Sequence, residues 1–422
     1  MKTKIVLTVI VALLVVVVVA NQILGNKMAR EIDLALQAKL EKNELPVTID
    51  YAKITVNPLF TQVKVYSLSV SAPEEEGTFS CKHIDIDIPY KEALRLAESS
   101  EFEMLNSLKI KLVQVRFVSD DASNSIEFGD LVADFKGQLT KADFENLDTR
   151  FPDKKQELSL SFSELKLNLR DKIYQNPPFS QLMVQLTAID KGSYKLVYQP
   201  EKKELDIREF SIESPVISYK GHATFNYEGD GSSDFKPVAA DMETTLSFQP
   251  KKFEWEDKKG GKGEFELKKL LFSTKSNVLF DQKTFPQGDM KLEIENLSIH
   301  YTEKGNKQTG SMLNFSLSNL DVEKLDVNYR LTNDKLSISD SRLKSSFLDA
   351  DLYADVDIDS TNPANSTIVE AKLRAHNLSP ELEKMLTGFE RQMGKELPRE
   401  DDVIVLELTG KLAKPTIKGF EF

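Results

Sequence analysis

Apolar and polar residues alternate with a period of two over most of this chain. After Pro46, Val47, Ile49 and Tyr51 alternate with Thr48 and Asp50. Asn57-Pro58 is a turn signal, and Val63 to Val70 reads as the next strand. Ile84, Ile86, Ile88 and Tyr90 alternate with Asp85, Asp87 and Pro89, and Leu108, Ile110 and Leu112 alternate with lysines. The same grammar recurs at Leu158/Leu160/Phe162, Leu165/Leu167/Leu169, Leu182/Val184/Leu186 and Tyr194/Leu196/Tyr198. It continues through Phe265/Leu267, Leu292/Ile294, Leu325/Val327/Tyr329, Leu336/Ile338, Leu352/Ala354/Val356/Ile358 and Val403/Val405. On the order of eighteen such segments predict a long antiparallel sheet, apolar on one face and solvated on the other. Such a sheet must close, fold over into a sandwich, or curl.

Helical periodicity is confined to a few places. Lys91–Ser99, Lys141–Leu147 and Pro380–Met393 are predicted helices, the last with Leu382, Met385, Leu386 and Phe389 on one face. With so few helices between strands, a parallel nucleotide-binding sheet is excluded.

The N-terminus follows another rule. Met1-Lys2-Thr3-Lys4 precedes a run from Ile5 to Leu24, which is 20 residues broken only by Thr8, Asn21 and Gln22. At a helical rise of ~1.5 Å per residue it matches a bilayer core. We read it as a retained membrane anchor with Ile5, Val9, Leu13, Val17 and Leu24 along it, in preference to a cleaved signal peptide ending at Val18-Val19-Ala20. Lys2 and Lys4 favour a cytoplasmic N-terminus. Residues 28–42 continue as an amphipathic helix with Ile32, Leu36 and Leu40 spaced by four, its apolar stripe expected to pack on the first strands. The expected organisation is an anchor over 1–27, this helix over 28–42 and a β domain over 43–422.

Composition narrows the function. Asp plus Glu is 67 against 55 Lys plus Arg, a net charge of -12, which disfavours a nucleic-acid binder. One Cys excludes an intramolecular disulfide and cysteine-rich metal sites, and four His leave little for imidazole chemistry. Charged residues at 29%, with short strands, weigh against a transmembrane barrel.

Candidate chemistry is sparse. Cys81, His83, Asp85 and Asp87 share one strand face by simple alternation and form a cluster of ligand-type residues, with a plain polar outer face as the preferred explanation. His222, His300 and His376 are isolated in sequence, and no nucleophile motif stands in a convincing frame. The loops 228–234 and 258–263 lack the spacing of a calcium or phosphate loop. Trp255 reads as a strand-face aromatic. Four Asn-x-Ser/Thr sequons occur, at Asn296, Asn314, Asn365 and Asn377. No enzymatic activity, metal or cofactor is expected.

The N-terminal third and the chain end resemble the AsmA-like family of bacterial envelope proteins. The resemblance rests on the basic start, one membrane helix, an amphipathic helix ending in Leu40, and the strand Pro46-Val47-Thr48-Ile49. It continues through Ile54-Thr55-Val56-Asn57-Pro58, Val65 to Val70 and Phe79 to Ile88, and the closing segment from Val405 to Ile417. It implies a mainly β fold in which an N-terminal transmembrane helix is followed by a long, curved, mostly antiparallel sheet forming an apolar groove, with a few short helices. It also implies single-pass anchoring in the inner membrane, a periplasmic body, membrane lipids as ligands, and a role in lipid movement or outer-membrane biogenesis, with other envelope proteins as further partners. The expected lining is Ile84, Ile86, Ile88, Ile110, Leu160, Phe162, Leu167, Val184, Leu186, Val327, Ile338 and Val356. The alternative is a structural scaffold, such as a secretion-system component, whose apolar face closes into a dry core.

Overall fold

The computed structural model describes residues 21–34, 37, 48–72, 77–89, 104–119, 124–146, 150–168, 179–230, 233–256, 260–280, 287–302, 319–332, 334–359 and 362–419. Alternating segments become 21 strands among these residues, every pairing antiparallel. Two compact units result.

The first unit comprises the chain up to residue 170, with 187–203 and 229–235. Its sheet starts with β1 (Thr48–Asp50) and β2 (Lys53–Asn57), both paired to β3 (Gln62–Ala72). From there β4 (Gly77–Asp87), β5 (Met104–Val118), β6 (Ser125–Thr140), β7 (Gln156–Asn168) and β8 (Ala188–Gln199) follow in chain order, each beside the last.

The second unit holds β9 (Glu204–Glu213), β10 (Ile217–Glu228), β11 (Lys236–Phe248), β13 (Lys262–Leu279), β14 (Gln287–Thr302) and β15 (Asn319–Leu331) as a meander. It continues through β16 (Lys335–Ser345), β17 (Asp349–Asp357), β18 (Thr367–His376), β20 (Val403–Lys411) and β21 (Lys414–Ile417). The short β12 (Phe253–Glu256) and β19 (Arg399–Glu400) pair with β13 and β20.

The backbone departs from plain alternation along one line. Ser67, Gln114 and Glu164 have φ of 53°, 52° and 51°, the left-handed region. They form a transverse crease across the sheet. Ser67 falls between the pairs Tyr66↔His83 and Leu68↔Cys81. Gln114 falls between His83↔Val113 and Cys81↔Val115, and Glu164 between Ser163↔Lys191 and Leu165↔Ile189.

The sequence changes phase at this crease. On β3, Val63 and Val65 give way to Leu68 and Val70. On β5 the change runs from Leu108, Ile110 and Leu112 to Val115 and Phe117. On β7 it runs from Leu158, Leu160 and Phe162 to Leu165 and Leu167. A one-residue slip in an ordinary strand would send half of these side chains to the wrong face. The left-handed residue absorbs the slip, at a cost of ~1–2 kcal/mol per non-glycine position. Asn296, with φ 47°, does the same on β14, between Leu292/Ile294 and Leu297/Ile299.

Two expected strands are corrected. Leu158/Leu160/Phe162 and Leu165/Leu167 belong to the single strand β7, because the phase change marks a left-handed residue rather than a turn. Leu182, Val184 and Leu186 lie in the helix Phe179–Leu186, not in a strand. A spacing of four fits both periods, and Gln181 and Gln185 settle it by donating to the backbone oxygens of Glu254 and Lys251. Val184 is 72% exposed there, so neither it nor Leu186 continues the sheet face.

Helices occur near the expected places. One covers Lys141–Glu145 and another Pro380–Met393, while 91–99 lies outside the described residues. Ser379 caps the helix Pro380–Met393 by accepting from the Leu382 amide, and Gly394 ends it with φ 67°. Leu386 packs against a dry cluster of Ala375, Leu397 and Ile404.

Residues 21–34 form one continuous helix, docked where Gly25 approaches the Val56 carbonyl and Asn21 bonds to Asn57 and Leu59. Leu24 sits on it, 51% exposed. Among the described residues no helix is long and apolar enough to cross a membrane. Ile5, Val9, Leu13 and Val17 lie outside the described residues, as do Leu36 and Leu40.

Candidate functional site

Directly paired residues of an antiparallel sheet share a face, so the register assembles apolar rungs across the first unit. One rung is Val63–Ile86–Ile110–Ala133–Leu160–Tyr194. The next is Val65–Ile84–Leu112–Leu131–Phe162–Gly192. Beyond the crease come Leu68–Cys81–Val115–Phe128 and Val70–Phe79–Phe117–Ile126–Leu167. The rings of Phe128 and Phe162 meet edge to face with centroids 5.7 Å apart, which places the rungs on either side of the crease on one face.

Of the expected lining residues, this face brings together Ile84, Ile86, Ile110, Leu160, Phe162 and Leu167. Ile88 follows β4 directly and donates its amide to the Thr61 carbonyl. Most of these side chains are half-buried, while Leu160 is 37% and Phe117 44% exposed. A dry core would leave them inaccessible, as it does Val356 in the second unit, which is 5% exposed among Ala354, Ile368 and Ala371. Ile338 packs on that same cluster, so Val356 and Ile338 are core positions. Val327 pairs with Leu292 and is half-buried.

Cys81 requires a correction. The phase change puts it on the apolar face between Leu68 and Val115, away from the face of His83, Asp85 and Asp87. It is 5% exposed, and burial pushes its thiol up from the usual range. Among the described residues no group of three or more ligand-type side chains is placed to hold a metal. Tyr194, on the apolar face, is likewise pushed up by burial.

The opposite face is ionic. Lys64 lies 3.0 Å from Asp85, Lys111 2.7 Å from Asp130 and Arg116 3.1 Å from Glu127. In the second unit, Glu243, Lys275, Asp289 and Arg330 form a rung of alternating sign along a concavity of about 600 Å³. Hydrogen bonding from Arg330 holds the Asp289 carboxyl below the usual range. The exposed pairs among these, Arg116–Glu127 and Arg330–Asp289, are individually weak.

His300 stands alone in the sequence but not in space. Ser298 Oγ lies 2.7 Å from His300 Nε2 and donates to Asp321 Oδ1 at 2.6 Å, while Asn319 Oδ1 lies 3.2 Å from His300 Nδ1. The pairing of β14 with β15 brings these groups together, and spacing along either strand alone carries no sign of it. Trp255 lies over Gly263 as a strand-face aromatic.

No family model, curated protein or solved structure matches this chain.

Proposed function

We propose that the chain is a membrane-anchored envelope protein that binds or conducts lipids along its apolar sheet face, with the apolar run that begins at Ile5 in the inner membrane and the body in the periplasm. The observation that carries this reading is the half-exposed state of the rungs through Ile86, Ile110 and Leu160. An acyl chain laid on such a face gains ~0.8 kcal/mol per buried methylene, and the ionic opposite face keeps the sheet in water. The resemblance to the AsmA-like family supports the same reading.

A second reading, a scaffold with a closed core, draws support from the dry clusters around Val356 and Ile404. Site-specific photo-crosslinking separates the two. A benzophenone amino acid at Leu160 should capture phospholipid in the membrane, and one at the exposed Lys136 should not. Equal capture at both positions, or none at Leu160, contradicts lipid binding on this face.

A further inference from the structure

Two cavities that both touch Asp143 lie where β6 ends and β7 begins. One, of about 240 Å³, is lined by Phe135, Leu139, Pro152, Leu158, Leu196 and Tyr198. It continues the rung Leu108–Phe135–Leu158–Leu196. Next to it, the Phe151 ring lies 6.1 Å, centroid to centroid, from both Tyr198 and Phe235. The other cavity, of about 500 Å³, is polar and includes Thr140, Asn146, Arg150, Asp153 and Lys154. Asp143 borders both cavities and is fixed by accepting from the Thr140 amide and hydroxyl, each at 2.7 Å.

We propose that this pair of cavities seats one zwitterionic phospholipid, its headgroup in the polar cavity and the start of one acyl chain in the apolar one. The proposal rests on the lipid-binding reading of the sheet face. Charge selects the headgroup. The polar cavity presents two cations, Arg150 and Lys154, and two carboxylates, Asp143 and Asp153. A phosphate meets the cations and an ammonium meets the carboxylates, whereas an anionic headgroup without an ammonium takes Arg150 from Asp153 and returns no cation to it. Arg150 and Asp153 are ion-paired at the surface, each 68% exposed, and can re-pair with a headgroup without disturbing the fold. The apolar cavity leads the chain onto the rungs through Leu158 and Leu196.

The test uses the full chain in vesicles of equal phosphatidylethanolamine and phosphatidylglycerol, with a benzophenone amino acid at Tyr198 or at Leu160. At Tyr198, phosphatidylethanolamine should be captured several-fold over phosphatidylglycerol. The double variant Arg150→Glu, Lys154→Glu removes both cations and should lower that capture at least ~ten-fold, the size of a single charge-assisted hydrogen bond, and leave capture at Leu160 unchanged. Capture at Leu160 with none at Tyr198 overturns the proposal and leaves the face reading standing. So does equal capture of the two lipids at Tyr198, or a double variant with no effect. Capture at neither position overturns both.

Discussion

Phe128 and Phe162 touch edge to face at 5.7 Å across a line where the strands change phase. Phe128 belongs to the rung of Val115, and Phe162 to the rung of Leu131. In an uninterrupted pleat those rungs would point to opposite faces. On the two strands that flank Phe128, the left-handed residues Gln114 and Glu164 mark the change of phase.

The crease is open to test at Gln114, which is exposed and therefore reports on backbone rather than burial. Gln114→Gly relieves the left-handed strain and should leave stability equal or higher. Gln114→Val places a β-branched residue there and should cost ~1–2 kcal/mol. Urea denaturation of the two variants measures the difference, and a Val variant as stable as the Gly variant would contradict the assignment.

Phe162 also has a partner that can be tested from the other side. A Cβ on Gly192 would lie 2.3 Å from the Phe162 ring. Gly192→Ala should destabilise by ~1–3 kcal/mol through overpacking. In a Phe162→Ala background the same change should cost much less, and the double-mutant cycle gives the coupling. Additive costs would show that the ring does not lie over Gly192.

Cys81 supplies a chemical readout of its face. Buried between Leu68 and Val115 with its thiol pushed up, it should resist a maleimide at pH 8 in the native chain and react on unfolding. Rapid native labelling would place it on the polar face with His83.

The Asp355 carboxyl is held below its usual range by hydrogen bonds from Ser337, then Tyr353, with Lys335 adding to them. A lowered native pKa stabilises above the unfolded carboxylate pKa, about 4, and that contribution is lost as pH falls through the native value. Ser337→Ala should raise the Asp355 titration midpoint in an NMR pH series and weaken the acid-side loss of stability. An unchanged midpoint would remove Ser337 as the principal cause.

Period two makes the strands legible from the chain alone, and Ser379, Pro380 and Gly394 mark the C-terminal helix. The crease leaves a trace as well, in the shifts from Val65 to Leu68 and from Phe162 to Leu165, but such a shift reads equally as a turn until the pairing is known. Around Val184, helix and strand are indistinguishable by pattern, because Leu182 and Leu186 satisfy both periods. The Ser298–His300–Asp321 contacts and the paired cavities beside Asp143 depend on register and on loop return, neither of which spacing encodes.

The most direct test of lipid binding is the lipid content of a chain beginning at residue 21, which keeps the helix docked at Gly25, purified without detergent. Organic extraction and mass spectrometry should recover phospholipid in at least equimolar amount, falling when Leu160 and Ile110 are both changed to Asp in a variant that remains folded. A folded chain that carries no phospholipid would contradict the account.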